Sequence, residues 1–228
     1  MIKITLLHPS RWRADLAHNA FNEWVNNARY PEEIQYVLSL DDNDETIAEY
    51  ENKFSAEDRA RVGLFVFNVS PSRNIVQAVN SAATFMESTS EIFAIVSDDV
   101  SAPLGWDVLL KNKLAGVDNF NTPKYIGVDD GLQSFGTFFI YIANRAYYNR
   151  LGYVLYPEYD GVFADNDNAC VAYALGAVVP APELVFKHNH YSKGAISFDR
   201  TYAKHNTHDG LERNGAIFNA RRSRNFDL

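Results

Sequence analysis

Through its first half the chain alternates short apolar runs with stretches in which apolar residues recur every three or four positions. The runs are "IKITLLH" (residues 2–8), "IQYVLSL" (34–40), "VGLFVFN" (62–68) and "IFAIVS" (92–97), each of a length suited to a buried strand. Between the first two, Ala17, Ala20, Phe21, Trp24, Val25 and Ala28 fall on one face of a helix predicted from Arg13 to Ala28. A short helix is predicted near Glu45 to Lys53. Ser70 followed by Pro71 signals the start of another, through Met86, with Ile75, Val79, Ala82 and Met86 as its apolar face. Strand and helix in alternation are the mark of repeated βαβ units, so the expected class is α/β with a mostly parallel central sheet flanked by helices.

The second half loses this regularity. "FGTFFIYIA" (135–143) reads as a strand, "NRAYYNRLG" (144–152) as a short helix, "DNDNACVAYALG" (165–176) as a helix stopped by Gly176, and "ELVFKHNHYS" (183–192) as a strand. No linker, repeat or low-complexity segment divides the chain, so one domain with an irregular carboxyl-terminal region is expected.

In an open α/β sheet, ligands bind outside the carboxyl ends of the strands. Asp98 and Asp99 stand at that end of the fourth run, and the cluster Asp41, Asp42 and Asp44 stands at that end of the second. Adjacent carboxylates at a strand end are tolerated when both are hydrated in a loop, when one is protonated, or when a cation sits between them. Hydration is the plain reading, because Asp is a common turn and cap residue. A cation is the sharper one: hard carboxylate oxygens suit Mg2+ or Mn2+, which bridge protein carboxylates to a substrate diphosphate.

Composition narrows the choice. The 228 residues are 46% hydrophobic and 14% aromatic, ample for a core. Cys170 is the single cysteine, which excludes an internal disulfide and a multi-cysteine zinc site. The net charge of −8 argues against binding nucleic acid through bulk electrostatics. Arg221, Arg222 and Arg224 in "NARRSRNFDL" are the local exception, and the ordinary reading of that run is a solvated chain end. No apolar run approaches the roughly 18 residues of a membrane span, and "MIKITLLHPS" lacks a positively charged leader, so a cytoplasmic location is expected.

The stretch "IVSDDVSAPLGWDVLL" resembles the segment that carries the DxD-type motif in glycosyltransferases of the GT-A fold, particularly the inverting family 2 enzymes. Three further segments follow in that family's order. "HPSRWR" resembles a Pro-Thr-Arg loop that wraps the nucleotide base, matched by Pro9, Ser10 and Arg11. "LDDND" resembles the acidic stretch that hydrogen-bonds a uracil, through Asp41 or Asp42. "ADNDNACVAYALG" resembles the Glu-Asp-x-Asp segment that leads into a helix and a glycine, which would make Asp165 the catalytic base.

The resemblance implies a single GT-A-like, Rossmann-like domain over roughly residues 2–195. A nucleotide-binding half would take about 1–100, an acceptor and catalytic half about 101–195, and a tail 196–228. It implies a metal-dependent inverting glycosyltransferase moving a sugar from a nucleotide-diphosphate donor, UDP-linked, to the hydroxyl of a glycan or other acceptor. Asp98 would face the ribose and Asp99 would bind Mn2+ or Mg2+. His188 would complete the metal site, with His190 in reserve. The sequence departs from the pattern at Ala164, which stands where an acidic residue usually precedes the base, at Ser97, and in the helix after the base, where Val171 and Ala172 lie near the place of the usual arginine.

Other residues carry lesser expectations. Arg73 could contact the diphosphate or base, although a surface arginine is the plain alternative. Asn80 sits in a helix interior where its propensity is poor, which hints at a hydrogen-bonding job. His188 and His190 could equally be ordinary hydrogen-bonded histidines, and no chemistry is expected of His205 and His208. Two other functions fit the same sheet edge. A nucleotidyltransferase would usually carry a glycine-rich, basic amino-terminal loop, which "HPSRWRAD" lacks. A non-catalytic nucleotide- or sugar-binding module would account for Ala164.

Overall fold

The structure is a computed structural model that describes residues 1, 3–116, 120–132, 136, 138–205 and 207–228. Within these, β1 (Ile4–Ser10), α1 (Ala14–Asn27), β2 (Ile34–Asp41), α2 (Ile47–Lys53), α3 (Ala56–Arg59), β3 (Leu64–Ser70), α4 (Ile75–Ala83) and β4 (Ile92–Ile95) form the alternating half. There follow β5 (Val100–Ser101), α5 (Trp106–Ala115), β6 (Tyr125–Asp129), β7 (Ile142–Asn144), α6 (Arg145–Leu151), α7 (Ala164–Ala174), β8 (Val178–Val185), β9 (Lys187–His188), α8 (Arg200–His205) and α9 (His208–Ser223).

A seven-stranded sheet in the order β3-β2-β1-β4-β7-β6-β8 forms the spine. β1 to β4 pair in parallel, β7 runs antiparallel to both of its neighbours, and β6 and β8 are again parallel. The sheet is mixed but mostly parallel, as expected, and both of its faces are covered. β2 is buried at every position, as a central parallel strand must be. On one face α1 presents Ala17, Ala20, Phe21, Trp24 and Val25, all buried, and on the other α4 presents Val76, Val79, Ala82 and Ala83.

The aromatic core also aims the functional edge. Trp24 donates its ring N–H to the Val100 carbonyl at 2.8 Å, and Trp106 donates to the Trp24 carbonyl at 2.8 Å, so α1 and α5 fix β5 in place. Buried indoles need such partners. β5 pairs antiparallel with β9, Val100 opposite His188, in a two-stranded sheet apart from the main one.

Several boundaries differ from expectation. Pro9 and Ser10 lie inside β1 rather than in a loop after it. α4 starts at Ile75 because Asn74 caps it, its side-chain oxygen accepting from the Gln77 N–H at 2.9 Å; Pro71 lies in the turn before it. The strand expected over 135–143 is reduced to β7 among the described residues; Phe135 and Thr137 lie outside them, as does the side chain of His205. The strand expected over 183–192 is divided between the end of β8 and β9. β8 begins earlier and runs through Pro180 and Pro182, tolerable because it is a sheet edge.

The largest correction concerns the tail. Residues 208–223 form a helix whose buried residues are Asn214 and Arg221, so "NARRSRNFDL" is not simply a solvated end. Arg222 and Arg224 are exposed as expected, whereas the Arg221 guanidinium is buried against Asp167. With no apolar stripe on this helix, the periodicity that reveals the others is missing.

Candidate active site

β1 and β4 lie side by side, with Leu7 opposite Ile95, which brings the carboxyl end of β1 against the turn Ser97–Asp98–Asp99. The two adjacent carboxylates diverge. Asp98 turns toward β1: its Oδ1 lies 2.8 Å from His8 Nε2, and its Oδ2 accepts from the Ser10 hydroxyl at 3.1 Å. Tyr36 meets the other nitrogen of His8, so a buried polar chain runs from β2 through β1 to Asp98. Arg13 Nη1 stands 3.9 Å from the same carboxylate.

Asp99 turns the opposite way. Its Oδ1 accepts from Ser97 Oγ at 2.5 Å, and its Oδ2 accepts from the Tyr202 hydroxyl at 2.6 Å and lies 3.4 Å from His188 Nε2. The Asn189 N–H also donates to the Asp99 carbonyl at 2.7 Å. Burial by itself would raise the Asp99 carboxyl, but the hydrogen bonds from His188, Ser97 and Tyr202 outweigh it and hold the group well below the usual carboxylate range. The pair avoids mutual repulsion because each carboxylate has its own donors.

A cavity of about 320 Å³ opens at this edge. Pro9, Ser10, Arg11, Asp41, Asp98, Asp99, Asp165, His188 and His190 all line it. Arg11 and Asp41 form an ion pair across the tips of β1 and β2, and Arg11 also donates to Asn43 Oδ1 at 2.8 Å. Asp165 enters from the first turn of α7. Its carboxylate accepts from the Asn166 N–H at 2.9 Å, and burial pushes its carboxyl above the ordinary range. The turn before it is tight: Phe163 caps α7 in the left-handed region, φ 70°, a conformation costing an L residue about 1–2 kcal/mol. Its ring packs on Phe218 of α9, 5.6 Å between centroids.

Two sequence candidates stand apart from this cavity. Arg73 and Asp42 pair with each other at 2.6 Å and are both about half exposed, 50% and 45%. Arg73 lines a neighbouring hollow instead, with Lys204 and Arg213. Asn80 serves the fold. Its side chain donates to the Leu155 carbonyl at 2.7 Å and accepts from the Val154 and Leu155 N–H groups at 3.0 and 3.1 Å, which ties the loop after α6 to α4.

Sequence reasoning missed the contribution of α8. Thr201, Tyr202 and Lys204 line the cavity from this short helix. Thr201 donates to the Arg11 carbonyl at 2.9 Å, and Arg13 forms a two-pronged ion pair with Asp199 at 2.7 and 2.8 Å while stacking over the Tyr202 ring. One signal was present in the sequence: Tyr191, Phe198 and Tyr202 are too aromatic for a solvated tail, and they pack together.

A divalent cation fits part of this arrangement. Asp99 supplies an ionised carboxylate and His188 an imidazole, both buried and facing each other, a donor set suited to Mn2+ or Mg2+. Among the described residues no group of three or more such side chains is preassembled, so the remaining ligands would have to come from substrate oxygens and water.

The fold is that of GT-A-type glycosyltransferases. The mannosyltransferase PcManGT from Pyrobaculum calidifontis, in complex with GDP-Man and Mn2+, aligns with TM-score 0.63 at 15% identity over 82% of this chain and 56% of its own. Residues 1–349 of TarS from S. aureus align with TM-score 0.62 at 14% identity over 82% of this chain and 61% of theirs. The catalytic domain of Drosophila β1,4-galactosyltransferase 7, in complex with xylobiose, aligns with TM-score 0.56 at 13% identity over 88% and 75%. The chain thus spans less than two thirds of the first two. No family model and no curated protein matches the sequence. No helix among the described residues is long and apolar enough to cross a membrane.

Proposed function

We propose that this chain is a metal-dependent inverting glycosyltransferase that moves a sugar from a nucleotide-diphosphate donor, UDP-linked, to an acceptor hydroxyl. The observation that carries the reading is the placement of an ionised Asp99 and a half-buried, weakly partnered Asp165 on the walls of one cavity at the carboxyl edge of the sheet.

In this reading the nucleotide base lies over the tips of β1 and β2, against Pro9, Ser10, Arg11 and Asp41, and Asp98 orients the ribose. Asp99 and His188 would hold Mn2+ or Mg2+. When bound there, the cation would offset the charge that builds on the leaving diphosphate. Asp165 acts on the acceptor side. An alcohol is a weak nucleophile at neutral pH, so a positioned carboxylate must take its proton as the bond forms. The acceptor oxygen joins the anomeric carbon, the bond from that carbon to the diphosphate breaks, and the proton passes to Asp165. Attack opposite the leaving group inverts the anomeric centre. Burial suits Asp165 to this role, because a carboxylate with a raised proton affinity is a stronger base.

The test is a thermal-shift panel of UDP-, GDP-, CDP- and dTDP-linked sugars with Mn2+ and with chelator. Stabilisation by UDP-sugars only when Mn2+ is present is the expected result. Stabilisation that ignores the chelator would remove the metal from the proposal, and a panel with no stabilising member would sink it.

A further inference from the structure

Four buried polar atoms on residues lining the cavity lack hydrogen-bond partners among the described residues: Arg11 Nε and His188 Nδ1, whose side chains already face the carboxylates of Asp41 and Asp99, and two that face no charged group. The Tyr141 hydroxyl and the Asn168 side-chain oxygen are shielded from solvent and have no hydrogen-bond partner among the described residues. Both residues line the cavity, and they are only 3% and 1% exposed. A buried polar atom left unsatisfied costs about 1–3 kcal/mol, so two beside one cavity call for a reason.

Asn168 is not free to turn and cure the defect. Its amide nitrogen donates to the Val154 carbonyl at 3.2 Å, and its backbone carbonyl accepts from the Tyr147 hydroxyl at 3.3 Å. The orphaned oxygen is therefore fixed in its direction, and as an amide oxygen it accepts only. Tyr141 is held between the rings of Tyr125 and Tyr147, its hydroxyl able to donate or accept. Around them the wall is aromatic and aliphatic, with Tyr125, Phe138 and Leu155. Apolar walls with a few fixed polar atoms are the make-up of a small-molecule site.

The polar atoms also define the ligand. An oxygen that only accepts needs a ligand O–H or N–H donor, and Asp165 close by on the same helix disfavours a phosphate or carboxylate. Asn168 follows Asp165 by three residues on α7, so both side chains lie on one helix face. From these constraints we infer that Tyr141 and Asn168 form the acceptor subsite, and that it takes a neutral pyranose. The ring's C–H face packs on the aromatic wall, and its hydroxyls satisfy the Asn168 oxygen and the Tyr141 hydroxyl. Another hydroxyl of the same ring is thereby presented to Asp165. The assignment of this subsite to the acceptor rests on the proposed role of Asp165.

Ligand-observed NMR with the methyl glycosides of glucose, galactose, mannose and N-acetylglucosamine, in UDP and Mn2+, tests this on the full chain. At least one glycoside should bind wild type, and Tyr141→Phe and Asn168→Leu should each weaken it at least tenfold while the nucleotide-induced thermal shift stays unchanged. Tyr141→Phe should melt no lower than wild type without sugar, because it deletes an unsatisfied group. The inference is overturned if no glycoside binds wild type, if both variants bind as wild type does, or if the variants lose nucleotide affinity instead. A lowered melting temperature of Tyr141→Phe with sugar binding intact would also overturn it, since the hydroxyl would then serve the fold through a buried water. The thermal-shift panel on the same samples reads the donor proposal separately: nucleotide stabilisation without glycoside binding rejects this subsite alone, and glycoside binding without nucleotide stabilisation rejects the donor reading alone.

Discussion

Arg221 of α9 donates through Nε to Asp167 Oδ2 at 2.6 Å, with both side chains at most 2% exposed, and so joins the carboxyl-terminal helix to the first turn of α7. Its second prong reaches Asp167 Oδ1 at 3.3 Å, the Tyr159 hydroxyl donates to the same carboxylate at 3.0 Å, and the guanidinium lies 3.5 Å over the Tyr156 ring. Asp165 is two residues away. α9 therefore braces the helix that carries the proposed base twice, through Arg221 on Asp167 and through Phe218 on Phe163.

Removing one partner of a buried ion pair strands the other, at a cost of about 3–5 kcal/mol. Arg221→Met should lower the melting temperature by roughly 10 °C, using the 2–4 °C per kcal/mol expected at this size. The double variant Arg221→Met with Asp167→Leu should recover part of that loss. Calorimetry of the two single variants and the double variant, read as a cycle, checks the pairing; equal melting of wild type and Arg221→Met would refute it.

Asp165→Asn should reduce sugar transfer by about 10²–10⁴, the usual contribution of a positioned base, with nucleotide and Mn2+ affinity retained. Steady-state transfer and isothermal titration on the same preparation separate the two. Unchanged turnover would assign the base elsewhere.

The same group makes stability depend on pH. Burial raises the Asp165 carboxyl above its unfolded value, so the fold favours the protonated form. Its contribution to stability is fully present below the unfolded value of about 3.9 and is lost as pH rises through the raised folded value. Asp165→Asn, which mimics the protonated state, should therefore melt higher than wild type at pH 7, and the gap should narrow on acidification toward pH 4. The acid limb of transfer activity should lie above the usual carboxylate range. A gap that is constant with pH would show that the carboxylate is not destabilised by burial.

Tyr202 gives Asp99 a donor on the oxygen that faces His188. A hydrogen bond to a buried charge contributes about 1.5–3 kcal/mol, and the same oxygen is where a cation would approach. Tyr202→Phe should lower the melting temperature of metal-free protein while tightening Mn2+ binding about tenfold, followed by paramagnetic titration. Weaker Mn2+ binding in this variant would instead make the Tyr202 hydroxyl a support of the metal-binding geometry.

Asn80 closes three hydrogen bonds onto the loop at Val154 and Leu155. Asn80→Ala should cost about 2 kcal/mol, summed from bonds of roughly 0.5–1.5 kcal/mol each with partial replacement by water. Hydrogen exchange should speed up at Val154 and Leu155 first. Unchanged exchange there would show that the loop is held by its packing.

The alternating half was legible because local pattern and tertiary environment agree in it. The runs at 34–40 and 92–97 had to be buried, and the stripe Ala17, Ala20, Phe21, Trp24, Val25 had to face a sheet, since nothing else hides so much apolar surface. The rule that ligands gather at the carboxyl edge of such a sheet then points to Asp41, Asp98 and Asp99 from the sequence alone. Where the pattern failed, a tertiary contact had overruled the local signal. Pro180 and Pro182 suppress any strand reading, yet β8 needs only one paired edge. The stripe-free helix 208–223 is held by a buried charge pair that no hydropathy profile can display.

Sequence by itself determined the layered α/β scheme, the acidic edge and the candidate chemistry, because burial periodicity and charge placement are local properties of a chain. Only the tertiary structure decided that Asp98 and Asp99 face apart and that His188 meets Asp99 through the pairing of β5 with β9. It likewise brought Tyr202 and Arg221 from the far end of the chain to serve Asp99 and Asp167. These contacts join residues from about 50 to over 100 positions apart, and long-range pairing is set by how whole elements pack, which no short window of sequence contains.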